Sequence, residues 1–276
     1  MPSRSHLEMF DKIKPKLELG ISISSFWASN PSNESRGERF LIKGPFISTT
    51  LISIFAITYM VNTFEGRLTT NLALSFLCCF GSLQICSKTL SMRYHRDKLI
   101  KLLNKAEFLH NNFENEELST IGERNLKKFS DIWLIFCKIG TTSYLVAILL
   151  FSLTNALKGK LGIIFQIPLV PIDLPYYTEI MLFVQFILVI FGCISIIFTE
   201  LGVAYHGFQI MAASDILFDY ISINKDKIQE CPDFLKIITI RYCDIVENIN
   251  LLKSVISFSV LVQFVFSAFM SLAIFF

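Results

Sequence analysis

No charged residue occurs in five long stretches of this 276-residue chain: Gly44–Phe64, Leu68–Ser87, Ile139–Leu157, Ile180–Thr199 and Ser254–Phe276. Other signatures are also missing. There is no Gly-rich phosphate loop and no G-x-S-x-G nucleophile turn, which argues against nucleotide and acyl-transfer enzymes. The four histidines, His6, His95, His110 and His206, do not pair at metal-ligand spacing. The seven cysteines, Cys78, Cys79, Cys86, Cys137, Cys193, Cys231 and Cys243, include no C-x-x-C, so neither a zinc site nor any cofactor is expected. A net charge of +2 is too small for a nucleic-acid partner. The first forty residues are mostly polar, so no secretory signal peptide is visible and the first apolar stretch must act as its own insertion signal.

What is present is apolar length. A helix needs roughly 20 apolar residues to cross a hydrocarbon core of about 30 Å, and all five stretches meet that requirement. Hydrophobic residues make up 53% of the chain and mean hydropathy is +0.54, both high for a soluble domain. The expected fold is all-α: a polytopic helix bundle in the lipid bilayer, with long cytoplasmic helical extensions. Residues 1–43 read as a cytoplasmic N-terminal segment and 44–276 as the bundle, with spans at about 44–64, 68–87, 133–157, 179–203 and 253–276. The last residues carry no polar tail, and the chain reads as an incomplete version of a longer protein.

Basic residues set the orientation. The N-terminal segment holds Arg36, Arg39 and Lys43 among others, the first loop only Arg67, and the third only Lys158 and Lys160. The second loop is rich in Lys and Arg, and the fourth holds Lys225, Lys227, Lys236, Arg241 and Lys253. The N-terminus, second loop and fourth loop therefore face the cytoplasm. The sequon Asn33-Glu34-Ser35 disagrees, since glycosylation is luminal. Leu19–Ala28, with Phe26 and Trp27, reads as a short interfacial helix.

The second loop carries an apolar stripe at helical spacing, Leu99, Leu102, Leu103, Ala106 and Leu109, as an extension of the second span. A break at Asn111-Asn112 follows, then a helix from about Ser119. The fourth loop repeats the pattern with Ile210, Ile216, Leu217, Tyr220 and Ile221 before a break at Cys231-Pro232. The third loop is apolar but contains Pro168, Pro171 and Pro175, which rule out a helical span. It is expected to be an ordered outer loop packed on protein, a lid over an apolar cavity. The cores contain only mild polar groups, among them Ser75, Gln84, Gln185, Ser259 and Gln263, suited to bonds between helices or to a cavity lining. Lys138, Glu179 and Glu200 stand only at the edges, which disfavours a proton-coupled transporter.

The Pro-rich loop Phe165-Gln166-Ile167-Pro168-Leu169-Val170-Pro171-Ile172-Asp173-Leu174-Pro175-Tyr176-Tyr177, Gln185 after it, and the lead Asn248-Ile249-Asn250-Leu251-Leu252 into Phe258-Ser259, Gln263 and Ser267 resemble the insect odorant receptors. The resemblance implies seven spans, a cytoplasmic N-terminus and residence in the cell membrane. It implies an odorant-gated cation channel formed with a shared co-receptor as a hetro-oligomer. It also implies an odorant cavity in the outer half of the bundle and a pore lined by the seventh span. Sixth and seventh spans are missing here, so this chain is expected to insert without conducting. The alternatives are an insect gustatory receptor and a membrane transport or structural protein. A G-protein-coupled receptor fragment would need an external N-terminus, against the charge pattern. In the implied orientation the ligand-binding candidates are Phe76, Tyr144, Phe151, Phe183, Phe186 and Phe269, with Tyr144 offering a hydroxyl to a polar odorant group.

The orientation predicts that Asn33 stays unmodified when the chain is expressed in insect cells. A glycosidase-sensitive mass shift that disappears in Asn33→Gln would reverse the topology.

Overall fold

The computed structural model describes residues 5–27, 35–64, 66, 69–168, 170–227 and 232–275; Asn33 and its sequon lie outside them. The described residues form α1 (Ser5–Ser24), α2 (Arg36–Thr63), α3 (Thr70–Tyr94), α4 (Arg96–Asn111), α5 (Glu116–Lys158), α6 (Tyr177–Ile223) and α7 (Pro232–Phe275), with short 3-10 turns at Gly159–Gly162 and Lys225–Lys227. The protein is an all-α membrane helix bundle, and α2, α3, α5, α6 and α7 are long and apolar enough to cross a membrane. At 1.5 Å per residue the 43 residues of α5 run about 65 Å, roughly twice a hydrocarbon core. The apolar stretches are thus segments of longer helices whose remaining turns are charged.

Helix boundaries follow local chemistry. Ser35 caps α2: its hydroxyl accepts from the Glu38 backbone N–H at 3.2 Å, while the Glu38 carboxylate accepts from the Ser35 N–H at 2.9 Å. Asn115 accepts from the Leu118 N–H at 2.8 Å, so α5 starts at Glu116, three residues ahead of the sequence expectation. Pro232 opens α7, where its missing N–H costs nothing.

Two compact units divide the chain. One gathers the residues up to Ile21, His95–Ile139 and Glu200–Ser257; the other gathers Ser22–Tyr94, Gly140–Thr199 and the residues from Phe258 on. The core of the first is Leu118, Ile121, Leu126, Phe129, Ala212, Ile216, Tyr220 and Phe234. The stripe Leu99, Leu102, Leu103 and Ala106 is buried as its spacing predicts, although a break at His95 separates α4 from α3. The polar faces are linked by ion pairs: Lys101 and Lys105 to Glu247 at 2.8 and 2.7 Å, Lys105 to Asp244 at 3.3 Å, and Arg124 to Asp219 at 2.7 Å.

The N-terminal helix departs from expectation. It starts near residue 5, not 19, because Phe10, Ile13, Leu17 and Ile21 form an earlier apolar stripe at helical spacing. Through Leu17 that stripe is buried in the first unit, where the Phe10 ring stacks on His110 at 4.5 Å. Lys14 bonds Glu107 at 2.6 Å, and the Glu107 carboxylate holds its ammonium above the usual lysine range. Phe26 and Trp27 are engaged by protein in the second unit: Phe26 stacks on Phe46 at 4.4 Å, and the Arg93 guanidinium lies 3.9 Å from the Trp27 ring centre.

The core of the second unit is Ile52, Ala56, Cys79, Ile164, Phe165 and Leu188. Small residues permit close helix approach: Gly192 faces Ile52 and Thr49, and the Ser53 and Ser82 hydroxyls meet at 2.7 Å.

Arg241 joins α7 to the turn before α5, donating to the Asn112 carbonyl at 3.0 Å and to Glu114 at 3.1 Å from its Nε. Charged hydrogen bonds of this kind contribute about 1.5–3 kcal/mol. Arg241→Ala is therefore expected to lower the melting temperature in detergent clearly more than Lys101→Ala, whose pair is exposed; equal shifts would refute this ranking.

Candidate functional site

The link between α5 and α6 builds the site. Ile163, Ile164 and Phe165 are buried in the second unit, outside any helix. Their backbone groups need partners. Side chains and a helix carbonyl supply them. The Ser75 hydroxyl donates to the Ile164 carbonyl at 2.7 Å. The Gln185 amide accepts from the Ile164 N–H at 3.2 Å and donates to the Gly162 carbonyl at 3.4 Å. Asn71 donates to the Ile163 carbonyl at 3.4 Å, and the Gln166 N–H donates to the Phe55 carbonyl at 3.1 Å. Gly162 admits no side chain, because a Cβ would collide with the Asn155 carbonyl.

The loop expectation therefore splits. The first half is packed on protein, as expected. The second half is largely exposed, with Ile172, Leu174 and Tyr176 facing outward. Beside it opens a cleft of about 400 Å³, lined by Tyr59 and Thr63 of α2, Lys160, Gln166, and Tyr176 through Glu179, with apolar wall from Ile163, Ile172 and Leu174. That volume lies within the range of small-molecule sites. The lining is aromatic and polar, unlike the purely apolar cavity the loop composition pointed to. In the first unit a cavity of about 440 Å³ borders Lys105, Arg241, Glu114 and Asp244, but these charges already pair with protein partners.

The six sequence candidates fall elsewhere, and none is among the described residues lining this cleft. Two of them come together: Phe76 stacks on Phe80 at 5.9 Å, and Phe80 on Phe269 at 6.1 Å, with Phe266 at 6.0 Å. Phe151 packs against the Ile52–Leu188 core. Tyr144 and Phe186 are half-buried. Phe183 is 66% exposed and Phe269 53%.

Several residues were missed at the sequence level. Phe80 and Phe266 complete the aromatic row, and their spacing from Phe76 and Phe269 (four and three residues) was a usable signal. Tyr176-Tyr177, at the end of the Pro-rich loop, was a second. Lys88 was read as the start of a cytoplasmic loop; it is buried within α3 and donates to Gln263 of α7 at 2.9 Å. A buried ammonium in an apolar helix is a functional candidate in its own right.

A family model described as 7tm Odorant receptor matches residues 67–276. No curated protein matches the chain.

Gln185→Leu strips a buried N–H and a buried carbonyl of their partners, at about 1–3 kcal/mol each. The expected result is a lower melting temperature and new accessibility of a cysteine placed at Ile164. Gln185→Glu, which keeps the acceptor, should fall between. A silent Gln185→Leu would show that the segment is held by other contacts.

Proposed function

The chain belongs to the 7tm odorant receptor family, and we propose that this multi-pass membrane protein is an odorant receptor subunit of the cell membrane, with its N-terminus in the cytoplasm. It binds volatile or lipophilic small molecules. It gates a cation channel together with a shared co-receptor. Family membership carries this reading, and it favours an odorant receptor over the gustatory and transport alternatives. The structure supports a lipophilic ligand through the Phe76–Phe80–Phe269 row, where rings from α3 and α7 face each other among uncharged residues.

The candidate aromatics divide by environment. Phe151 and the Phe76 row contact other protein groups, whereas Phe183 is largely exposed in this isolated chain. Phe183 and Phe186, three residues apart on α6, share a helix face. Tyr144 brings the one hydroxyl of the set.

The test is an odorant panel on the receptor co-expressed with the co-receptor and recorded under voltage clamp. Alanine at Tyr144, Phe183 and Phe186, separately, is expected to shift at least one odorant half-maximal concentration by about tenfold, the equivalent of about 1.4 kcal/mol. If all three variants reach the surface and every response is unchanged, the cavity proposed for these residues is wrong. If the receptor adds no odorant-evoked current to that of the co-receptor alone, the receptor reading itself falls.

A further inference from the structure

The cleft beside the exposed half of the α5–α6 loop is distinct from the aromatic row, and nothing above assigns it a ligand. Its walls carry many groups able to donate a hydrogen bond. Lys160 can only donate. The phenols of Tyr59, Tyr176 and Tyr177 and the hydroxyls of Thr63 and Thr178 can all donate. The Gln166 amide oxygen accepts from Asn62 at 2.9 Å, and its NH2 adds a further donor. Glu179 is the one pure acceptor in the lining, and its charge offsets that of Lys160. A donor-rich, charge-balanced lining favours a neutral guest with an acceptor oxygen. Three phenol rings favour a flat guest, since rings stack face to face with an offset.

Tyr176 supplies an independent observation. Its φ is +60°, a conformation bulky L-residues rarely adopt. The backbone is held there from both sides: the Tyr177 N–H donates to the Leu174 carbonyl at 3.1 Å, and the Tyr176 carbonyl accepts from the Ile180 N–H at 3.0 Å. A glycine would adopt this turn without strain. An aromatic residue stands there instead, 77% exposed at the rim of the cleft. Strained residues of this kind cluster at ligand clamps.

We propose that this cleft is a second small-molecule site, which takes a neutral, planar compound bearing a carbonyl oxygen, such as an aromatic ester, ketone or lactone. Lys160 and Tyr177 donate to the carbonyl, and Tyr176 closes over the flat body. The site is separate from the aromatic row, and the test reads binding rather than current, so it does not depend on channel gating.

The experiment uses the 276-residue chain in phosphatidylcholine nanodiscs and measures binding by saturation-transfer difference NMR. The probes are methyl benzoate, benzoate and toluene. Methyl benzoate is expected to bind about tenfold more tightly than toluene, the upper range for one hydrogen bond, and more tightly than benzoate. Lys160→Met and Tyr177→Phe should each reduce that preference severalfold. Tyr176→Phe, which keeps the ring, should bind methyl benzoate more tightly than Tyr176→Gly, which relaxes the backbone but loses the ring. Phe218→Ala, at an exposed ring of the first unit, should leave all of this unchanged. Equal binding of toluene would show that no carbonyl is read and would overturn the proposal. Tighter binding of benzoate would make the site one for anions and overturn it as well. A preference that survives Lys160→Met and Tyr177→Phe but vanishes in Phe183→Ala would place the ligand elsewhere: this proposal would then fail while the receptor reading stood.

Discussion

The one constraint on which the rest depends is that backbone polar groups away from water must be bonded within the protein. Helices meet it along most of the described chain. The buried exception is the non-helical stretch Ile163–Phe165, which with Gln166 packs against α2, α3 and α6 in the second unit. It cannot form a helix with its neighbours, because Pro168, Pro171 and Pro175 follow within a few residues. Its N–H and carbonyl groups therefore draw on Ser75, Asn71, Gln185 and the Phe55 carbonyl. This accounts for polar side chains in otherwise apolar helices. Ser75 and Gln185 are buried because irregular backbone lies next to them, and Gly162 is glycine because α5 ends in contact with it.

A different balance governs the first unit, where water reaches the polar helix faces. Lys101 and Lys105 of α4 meet Asp244 and Glu247 of α7, while apolar residues of α5, α6 and α7 form the core of the unit. Pairs this exposed contribute little individually. They fix which turn of α4 faces which turn of α7, and the core supplies the stability, at about 25 cal/mol per Å² of apolar area buried. Arg241 is the exception, since it is buried and bonds both a carboxylate and a backbone carbonyl.

Some of this was legible in the sequence and some was not, for physical reasons. Hydropathy is a local property, so the five long apolar helices could be read directly, as could the amphipathic α4. The Phe10–Ile21 stripe was just as local and was passed over because the segment as a whole is polar. Lys88 shows the limit of reading spans by charge. It follows an apolar run and so reads as a loop residue, yet the partner that makes its burial possible, Gln263, lies far along the chain. The cleft is the extreme case. Its lining comes from the end of α2, the turn after α5 and the start of α6. No spacing rule links Tyr59 to Lys160 or Tyr177, whereas the aromatic row left a trace in each helix taken alone.

The α5–α6 loop combines two demands that conflict in a membrane protein. A receptor surface must vary in chemistry to distinguish ligands, while buried irregular backbone tolerates almost no change. The loop separates them along its length. Ile163–Phe165 is locked by bonds from two helices, α3 and α6, and carries only apolar side chains. Beyond Gln166, the side chains of Ile172, Leu174 and Tyr176 emerge to line the cleft. Substitution there alters the wall without disturbing a buried hydrogen bond. The bonded half thereby acts as the footing for the exposed half, and Pro168 and Pro171 between them, which lack an N–H to satisfy, let the chain turn outward at small cost. Irregular backbone, the feature lipid tolerates least, is confined to a segment whose buried polar groups the helices satisfy.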